Sequence, residues 1–151
     1  MVEYSLELIV LPVADVGRAK EFYLRIGFRE DVDYIEGDDF RVVHFTPPGS
    51  ACSIVVGTGI GSARPGSMEN VHLVVTDIEQ ARADLVSRGV EVSEVFHDRG
   101  GVFLHVGPET RIAGLAPGRR SYGSFASFHD PDGNEFILQE VSQRVPASRP
   151  Q

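Results

Sequence analysis

The side chain best placed to move a proton is His72, in the stretch NVHLVV. Imidazole titrates near neutrality, so a histidine on a strand can serve as acid or base, as a hydrogen-bonding wall residue or as a metal ligand. Asn70 precedes it by two residues, and side chains two apart on a strand share a face. Gln139, in EFILQE, adds a second amide, while His44 and His105 are further candidates. The set lacks a carboxylate to orient the imidazole, because Glu140 follows Gln139 directly and points to the opposite face. Ser53 has no base recognisable from the sequence, so a serine-type nucleophile is not supported. Gly100-Gly101 follows no strand-to-helix turn that would cradle a phosphate.

Two other features bear on chemistry. Cys52 is the only cysteine, which excludes an intrachain disulfide and a cysteine-based zinc cluster and fits a reducing cytoplasm. EDVDYIEGDD, residues 30 to 39, holds six carboxylates in ten positions. It reads as a solvated strand edge and turn, or as a patch that attracts a cationic ligand.

The elements that must carry these groups are written twice. LELIVLPVADVGRAKEFYLRIGF runs from an apolar strand through an aspartate N-cap, Asp15, into a helix that stops at Gly27. NVHLVVTDIEQARADLVSRGV repeats the plan at an offset of 62, with Asp15 matching Asp77, Ala19 matching Ala81 and Gly27 matching Gly89. TPPGSACSIVV, from Thr46, then matches DPDGNEFILQE, from Asp130, at an offset of 84. The difference, 84 − 62, puts 22 extra residues in the second half between Gly100 and Ser124. Glycines, prolines and three arginines (Arg111, Arg119, Arg120) interrupt that stretch, which reads as a lid or binding loop, or as a tolerated insertion.

Each half therefore predicts a strand, a helix and three strands. The later strands fall near 28–35, 40–46 and 52–57 in the first half, and near 90–97, 101–106 and 124–141, a hairpin, in the second. The expected organisation is one domain of two modules, 4–60 and 68–141, with an insertion at about 100–123 and a frayed tail over 142–151.

A chain of 151 residues buries roughly 68–70% of its unfolded surface and needs no disulfide staple. Its net charge of −8 argues against a nucleic-acid partner, whose binding needs a basic face. MVEYSLELIV has two glutamates and no basic region ahead of its apolar run, unlike a secretory signal, and no apolar run approaches the length of a membrane span. A cytoplasmic location with no membrane partner is expected.

The doubled βαβββ pattern, the segments LPVADVGRAKEFY and LVVTDIEQARADL, and the closing DPDGNEFILQE together resemble the vicinal oxygen chelate superfamily. That superfamily contains glyoxalase I, extradiol dioxygenases, fosfomycin resistance enzymes and bleomycin-binding proteins. The resemblance covers nearly the whole chain and implies an α+β fold, in which each module curls a mixed sheet flanked by one helix and the two enclose a central pocket. In metal-dependent members, the first and last strands of each module supply the ligands of a divalent ion. The resemblance places those positions at Leu8 and Asn70, each seven residues before a helix-capping aspartate, at Ile137, where the last strand usually carries glutamate, and, through the internal repeat, at Ser53. Such ions require imidazole or carboxylate donors. Leu8 and Ile137 have no lone pair to offer, and Ser53 and Asn70 are neutral oxygens, so the resemblance implies a member without the usual metal and with no cofactor. His72, beside Asn70, leaves a shifted site open.

Strand parity turns Leu8, Val10, Ser53, Asn70, His72, Ile137 and Gln139 towards the implied pocket, and the insertion adds His105. That lining is mostly apolar with a few convergent polar groups, as in small-molecule sites, and its polar members come chiefly from the second half. The expected function is a metal-free small-molecule-binding protein of the glyoxalase/bleomycin resistance type that sequesters or senses an apolar ligand. The alternatives are a glyoxalase-like lyase, isomerase or dioxygenase with His72 as catalytic acid or base or with a shifted metal, and an accessory module with no ligand. Because modules of this kind join edge to edge, a homodimer is expected.

Overall fold

The computed structural model of the chain describes residues 1–101 and 108–144. His105, most of the strand expected over 101–106 and the tail beyond 144 lie outside the described residues. Backbone contacts divide the chain into two units, residues 1–69 with 129–135, and residues 70–128 with 136–151. The architecture is α+β, with one helix and one mixed sheet in each unit.

The first unit contains β1 (Leu8–Val10), α1 (Val16–Arg25), β2 (Arg29–Glu36), β3 (Phe40–Thr46) and β4 (Ser53–Thr58). Its sheet has the order β1-β4-β3-β2, with β1 parallel to β4 and the other pairs antiparallel. Asp15 caps α1 by accepting a hydrogen bond from the Arg18 amide at 3.0 Å. Beyond the helix Gly27 takes φ 92°, a left-handed conformation that favours glycine. Ala19, Phe22 and Tyr23, spaced to share one helix face, are buried. The Tyr23 ring lies 5.9 Å from Phe28 and 5.4 Å from Phe45, so the helix face is locked onto the sheet by aromatic packing.

The acidic stretch forms β2, the exposed edge of this sheet. Asp33 pairs with Lys20 at 2.7 Å and Arg41 at 2.8 Å, and these cations hold its carboxyl well below the usual carboxylate range. A register shift between Glu30 and Val32 bulges the strand. A charged, bulged edge discourages pairing with further strands.

The turn His129–Glu135 belongs to this unit, although it lies in the sequence of the second half. The Tyr23 hydroxyl donates to Asp130 at 2.7 Å, the Asn134 amide donates to the Pro12 carbonyl at 2.8 Å, and the Met68 and Ala14 amides donate to Asn134 and Asp132. A Cβ on Gly66 would stand 2.0 Å from the Asp132 carbonyl oxygen, so only glycine admits the close approach.

The second unit contains β5 (Val71–Val75), α2 (Ile78–Ser87), β6 (Phe96–Asp98), β7 (Arg111–Ala113), β8 (Ser124–His129) and β9 (Glu135–Glu140), in sheet order β5-β9-β8-β6-β7. The first four strands of that order repeat the arrangement of the other sheet. The fifth, β7, was not foreseen: it comes from the insertion and pairs antiparallel with β6, Phe96 opposite Ala113 and Asp98 opposite Arg111. The strand expected over 90–97 forms only at 96–98. Residues 92–95 are engaged otherwise, for Ser93 bonds Ser127 through its amide and hydroxyl, Arg82 takes the Val92 and Ser93 carbonyls, and Val95 accepts from Gly114. Among the described residues no helix is long and apolar enough to cross a membrane.

Candidate functional site

The ladders of the two units place the candidate residues in adjacent pairs. In the first unit β1 lies parallel to β4 with Leu8 beside Ser53 and Val10 beside Val55. The Ser53 amide donates to the Glu7 carbonyl at 2.9 Å, which fixes this register. The Ser53 hydroxyl lies 2.8 Å from that of Thr46, and Thr46 in turn donates to the Asp31 carboxylate. The Thr46 hydrogen bond, with Arg29 adding to it, holds the Asp31 carboxyl below its ordinary range, so Asp31 is ionised and only accepts. Thr46 has one hydroxyl proton, and Asp31 takes it. Ser53 must therefore donate to Thr46, which leaves the Ser53 oxygen able only to accept from a further partner.

In the second unit β5 lies parallel to β9 with His72 beside Ile137 and Val74 beside Gln139. Ile137 is wholly buried in a cluster with Phe96 and Phe125. Phe96 and Phe125 are themselves opposite one another on β6 and β8, with ring centroids 5.8 Å apart. The His72 ring meets Phe125 edge-on at 6.4 Å and is otherwise exposed. At the other end of the row, the Arg111 guanidinium stands 4.3 Å from the Phe96 centroid. Phe96 and Phe125 were not singled out from the sequence, and Arg111 was noted only as one of the insertion's three arginines. The aromatic pair depends on a ladder register that periodicity does not give, and Arg111 sits in a stretch without recognisable period.

His72 Nδ1 lies 3.1 Å from the Asn70 carbonyl oxygen. A carbonyl only accepts, so Nδ1 carries the proton and Nε2 of the neutral ring offers a lone pair outwards. Asn70 lies just outside β5, exposed and at φ 58°, a left-handed position that asparagine tolerates better than most residues. Gln139 donates its amide to the Tyr122 carbonyl at 2.9 Å, at the end of the insertion. Glu140, opposite in parity, is buried against Arg119 and the Ile78 amide, and so does not orient His72. A cleft of about 290 Å³ opens elsewhere in this unit, lined by Glu79, Arg82, Glu94 and Val95 and bordered by none of the candidates.

The metal positions implied by the fold do not suit a metal. Leu8 and Ile137 are hydrocarbon, Ile137 is packed among phenylalanines, and Ser53 and Asn70 have only neutral oxygens to offer. Among the described residues no group of three or more His, Cys, Asp or Glu side chains is arranged to hold a metal ion.

A family model described as the Glyoxalase/Bleomycin resistance protein/Dioxygenase superfamily matches residues 5–138. Among solved structures, TnmS3, an antibiotic binding protein from Streptomyces sp. CB03234, is 28% identical over 94% of this chain and 99% of its own, with a TM-score of 0.67. A glyoxalase/bleomycin resistance protein from the same organism is 28% identical over 90% of this chain and 100% of its own, with a TM-score of 0.63. A member of the same superfamily from Sphaerobacter thermophilus DSM 20745 shares the fold, at 24% identity over 91% of this chain and 98% of its own and a TM-score of 0.65. No curated protein matches the chain.

Proposed function

Starting from a chain that belongs to the Glyoxalase/Bleomycin resistance protein/Dioxygenase superfamily, we propose that it binds a small apolar molecule without a metal, sequestering or sensing it, a reading supported by its likeness to an antibiotic binding protein. The observation that carries this reading is the burial of Ile137 between Phe96 and Phe125, where metal-dependent members need a carboxylate. The outward groups are suited to holding a ligand. In the second unit Val74 is exposed hydrocarbon and His72 Nε2 offers a lone pair. The ligand so described has an apolar body and N–H or O–H groups that donate to the protein. We place the protein in the cytoplasm, in keeping with its single cysteine, and take it to be a homodimer because modules of this kind join edge to edge.

One observation favours a second reading, in which His72 is a general acid or base. The Asn70 carbonyl fixes its tautomer, as an orienting carboxylate would in other sites. The two readings separate on turnover.

The test combines metal analysis of protein purified without chelator or affinity tag with a thermal-shift screen of small molecules, since a ligand specific to the folded state raises the melting point by mass action. The expected result is less than stoichiometric metal and at least one stabilising compound recovered unchanged. For that compound, His72→Ala weakens binding by about 1–3 kcal/mol, the range for a lost buried hydrogen-bond partner. Stoichiometric Fe, Mn, Ni or Zn overturns the metal-free reading. Conversion of the compound at a rate abolished by His72→Ala establishes the enzymatic one.

A further inference from the structure

Arg111 lies on β7, the edge of the second unit's sheet, opposite Asp98 on β6. Side chains opposite one another on a ladder share a face, so Arg111 rises from the face that carries Phe96, two residues before Asp98. Its guanidinium lies over that ring, 4.3 Å from the centroid, and Phe96 packs in turn with Phe125 and Ile137. The hydrogen bonding of this cation is slight. Nη1 stands 3.5 Å from the Ser127 hydroxyl, longer than such bonds usually are, and Nε is buried without a partner among the described residues. Among the same residues no carboxylate pairs with Arg111, whereas Arg18, Arg41, Arg88 and Arg119 each hold one at 2.8–3.1 Å.

Donors in that state call for an acceptor. A buried N–H without a partner costs free energy, which a bound acceptor recovers. The guanidinium is a planar fork, and over an aromatic ring its N–H groups stay directed outwards in its own plane, where a planar carboxylate can take two of them at once. Charge favours an anion here as well. The protein carries a net charge of −8, but residues 100–123 hold three arginines, Arg111, Arg119 and Arg120, against the single carboxylate of Glu109. Arg119 is already engaged by Glu140, Asp77 and Glu79.

We propose that Arg111 is the anion-binding residue of the ligand site, and that the ligand is an apolar molecule bearing a carboxylate. The proposal rests on the small-molecule reading above and adds the group by which that ligand is held. Both concern one site, because Phe96, the ring beneath the guanidinium, belongs to the cluster with Ile137 that carries that reading.

The experiment is isothermal titration of the full chain with naphthalenecarboxylate and with the neutral amide of the same ring, at low and high sodium chloride. The native chain should bind the acid about tenfold or more tightly than the amide, as a charge-assisted fork allows, and added salt should narrow that margin. Arg111→Gln should bring the acid to the affinity of the amide, and Arg111→Lys, which keeps the charge without the fork, should keep part of the preference. Should Arg111→Gln fail to fold by circular dichroism, the acid-to-amide ratios of the native chain and of Arg111→Lys decide. Equal affinities for acid and amide in the native chain overturn the carboxylate handle and leave the small-molecule reading standing. A preference that survives Arg111→Gln overturns the assignment to Arg111. Binding of neither compound at millimolar concentration also overturns the handle, whereas the small-molecule reading stands or falls on the thermal-shift screen.

Discussion

Arg119 stands 2.9 Å from Glu140, a carboxylate only 1% exposed at the end of β9, and also reaches Asp77 and Glu79 at the start of α2. Glu140 accepts the Ile78 amide at 2.9 Å as well. One arginine from the insertion thus ties together the last strand and the N-terminus of the helix, and it holds its end of the insertion on the sheet. The insertion is anchored at that end rather than merely accommodated.

Arg119→Ala leaves a buried carboxylate with one backbone donor. The variant should be less stable than the native chain, read as a lower urea midpoint, because the Glu140 carboxylate stays buried without its ion partner. The Arg119 hydrogen bond holds the Glu140 carboxyl below its ordinary value despite burial, with the Ile78 amide adding to it. A depressed folded value means that the contribution is complete above about pH 4–5 and is lost as pH falls further. Urea denaturation of the native chain and Glu140→Gln should therefore differ most near neutrality and converge in acid.

The order Ser53 to Thr46 to Asp31 predicts a titration. Thr46 is the largest influence lowering the Asp31 carboxyl, so Thr46→Val should raise the Asp31 midpoint towards the ordinary carboxylate value, read by carbon NMR of the side chain. An unmoved midpoint would leave Arg29 alone as the cause and remove the ground for assigning Ser53 as an acceptor.

Much of the fold was legible because local chemistry dictated it. Asp15 and Asp77 cap the helices, Gly27 and Gly89 end them at positive φ, and the helix and hairpin repeats match the two sheets' shared order. The ladder register was not legible. Counting back from the helix caps makes Asn70 the counterpart of Leu8, but the strand that pairs with Ile137 puts His72 beside it, as Leu8 is beside Ser53. The second unit runs from that ladder position to its cap in five residues where the first takes seven, and only the paired strand reveals the difference. β7 was hidden for a similar reason. A three-residue strand in a glycine-rich stretch has no period, and its identity comes from β6.

Ile137 should behave as a core residue. Ile137→Val is expected to cost about 0.5–1.5 kcal/mol and Ile137→Ala about 2–5 kcal/mol, as for cavities in well-packed interiors. Ile137→Glu, combined with Leu8→His to imitate a metal site, puts a carboxyl group among Phe96 and Phe125 and should cost several kcal/mol before any ion is gained. Calorimetric melting with and without nickel checks this. A double variant as stable as the native chain would show that the ladder there opens to solvent.

The Tyr23–Asp130 bond gives the last prediction. Tyr23 is fully buried, and its hydroxyl donates to Asp130 at 2.7 Å, while the Asn134 side-chain amide donates to the same oxygen at 2.8 Å. Tyr23→Phe keeps the ring packing against Phe28 and Phe45 but withdraws one donor from a buried carboxylate, so it should cost about 1–3 kcal/mol at neutral pH. Burial, and then the charge of Asp130, push the phenol far above its ordinary value, so folded Tyr23 keeps its proton where the unfolded chain releases it. Its contribution is therefore complete below about pH 10 and falls as pH rises beyond that, through the unfolded value towards the raised folded one. Urea denaturation between pH 8 and about 11.5 should show native stability declining towards that of Tyr23→Phe, with the difference narrowing at the alkaline end. A constant difference across that range would mean that Tyr23 ionises in the folded chain as readily as in the unfolded one, and that the bond to Asp130 does not hold the turn His129–Glu135 to α1.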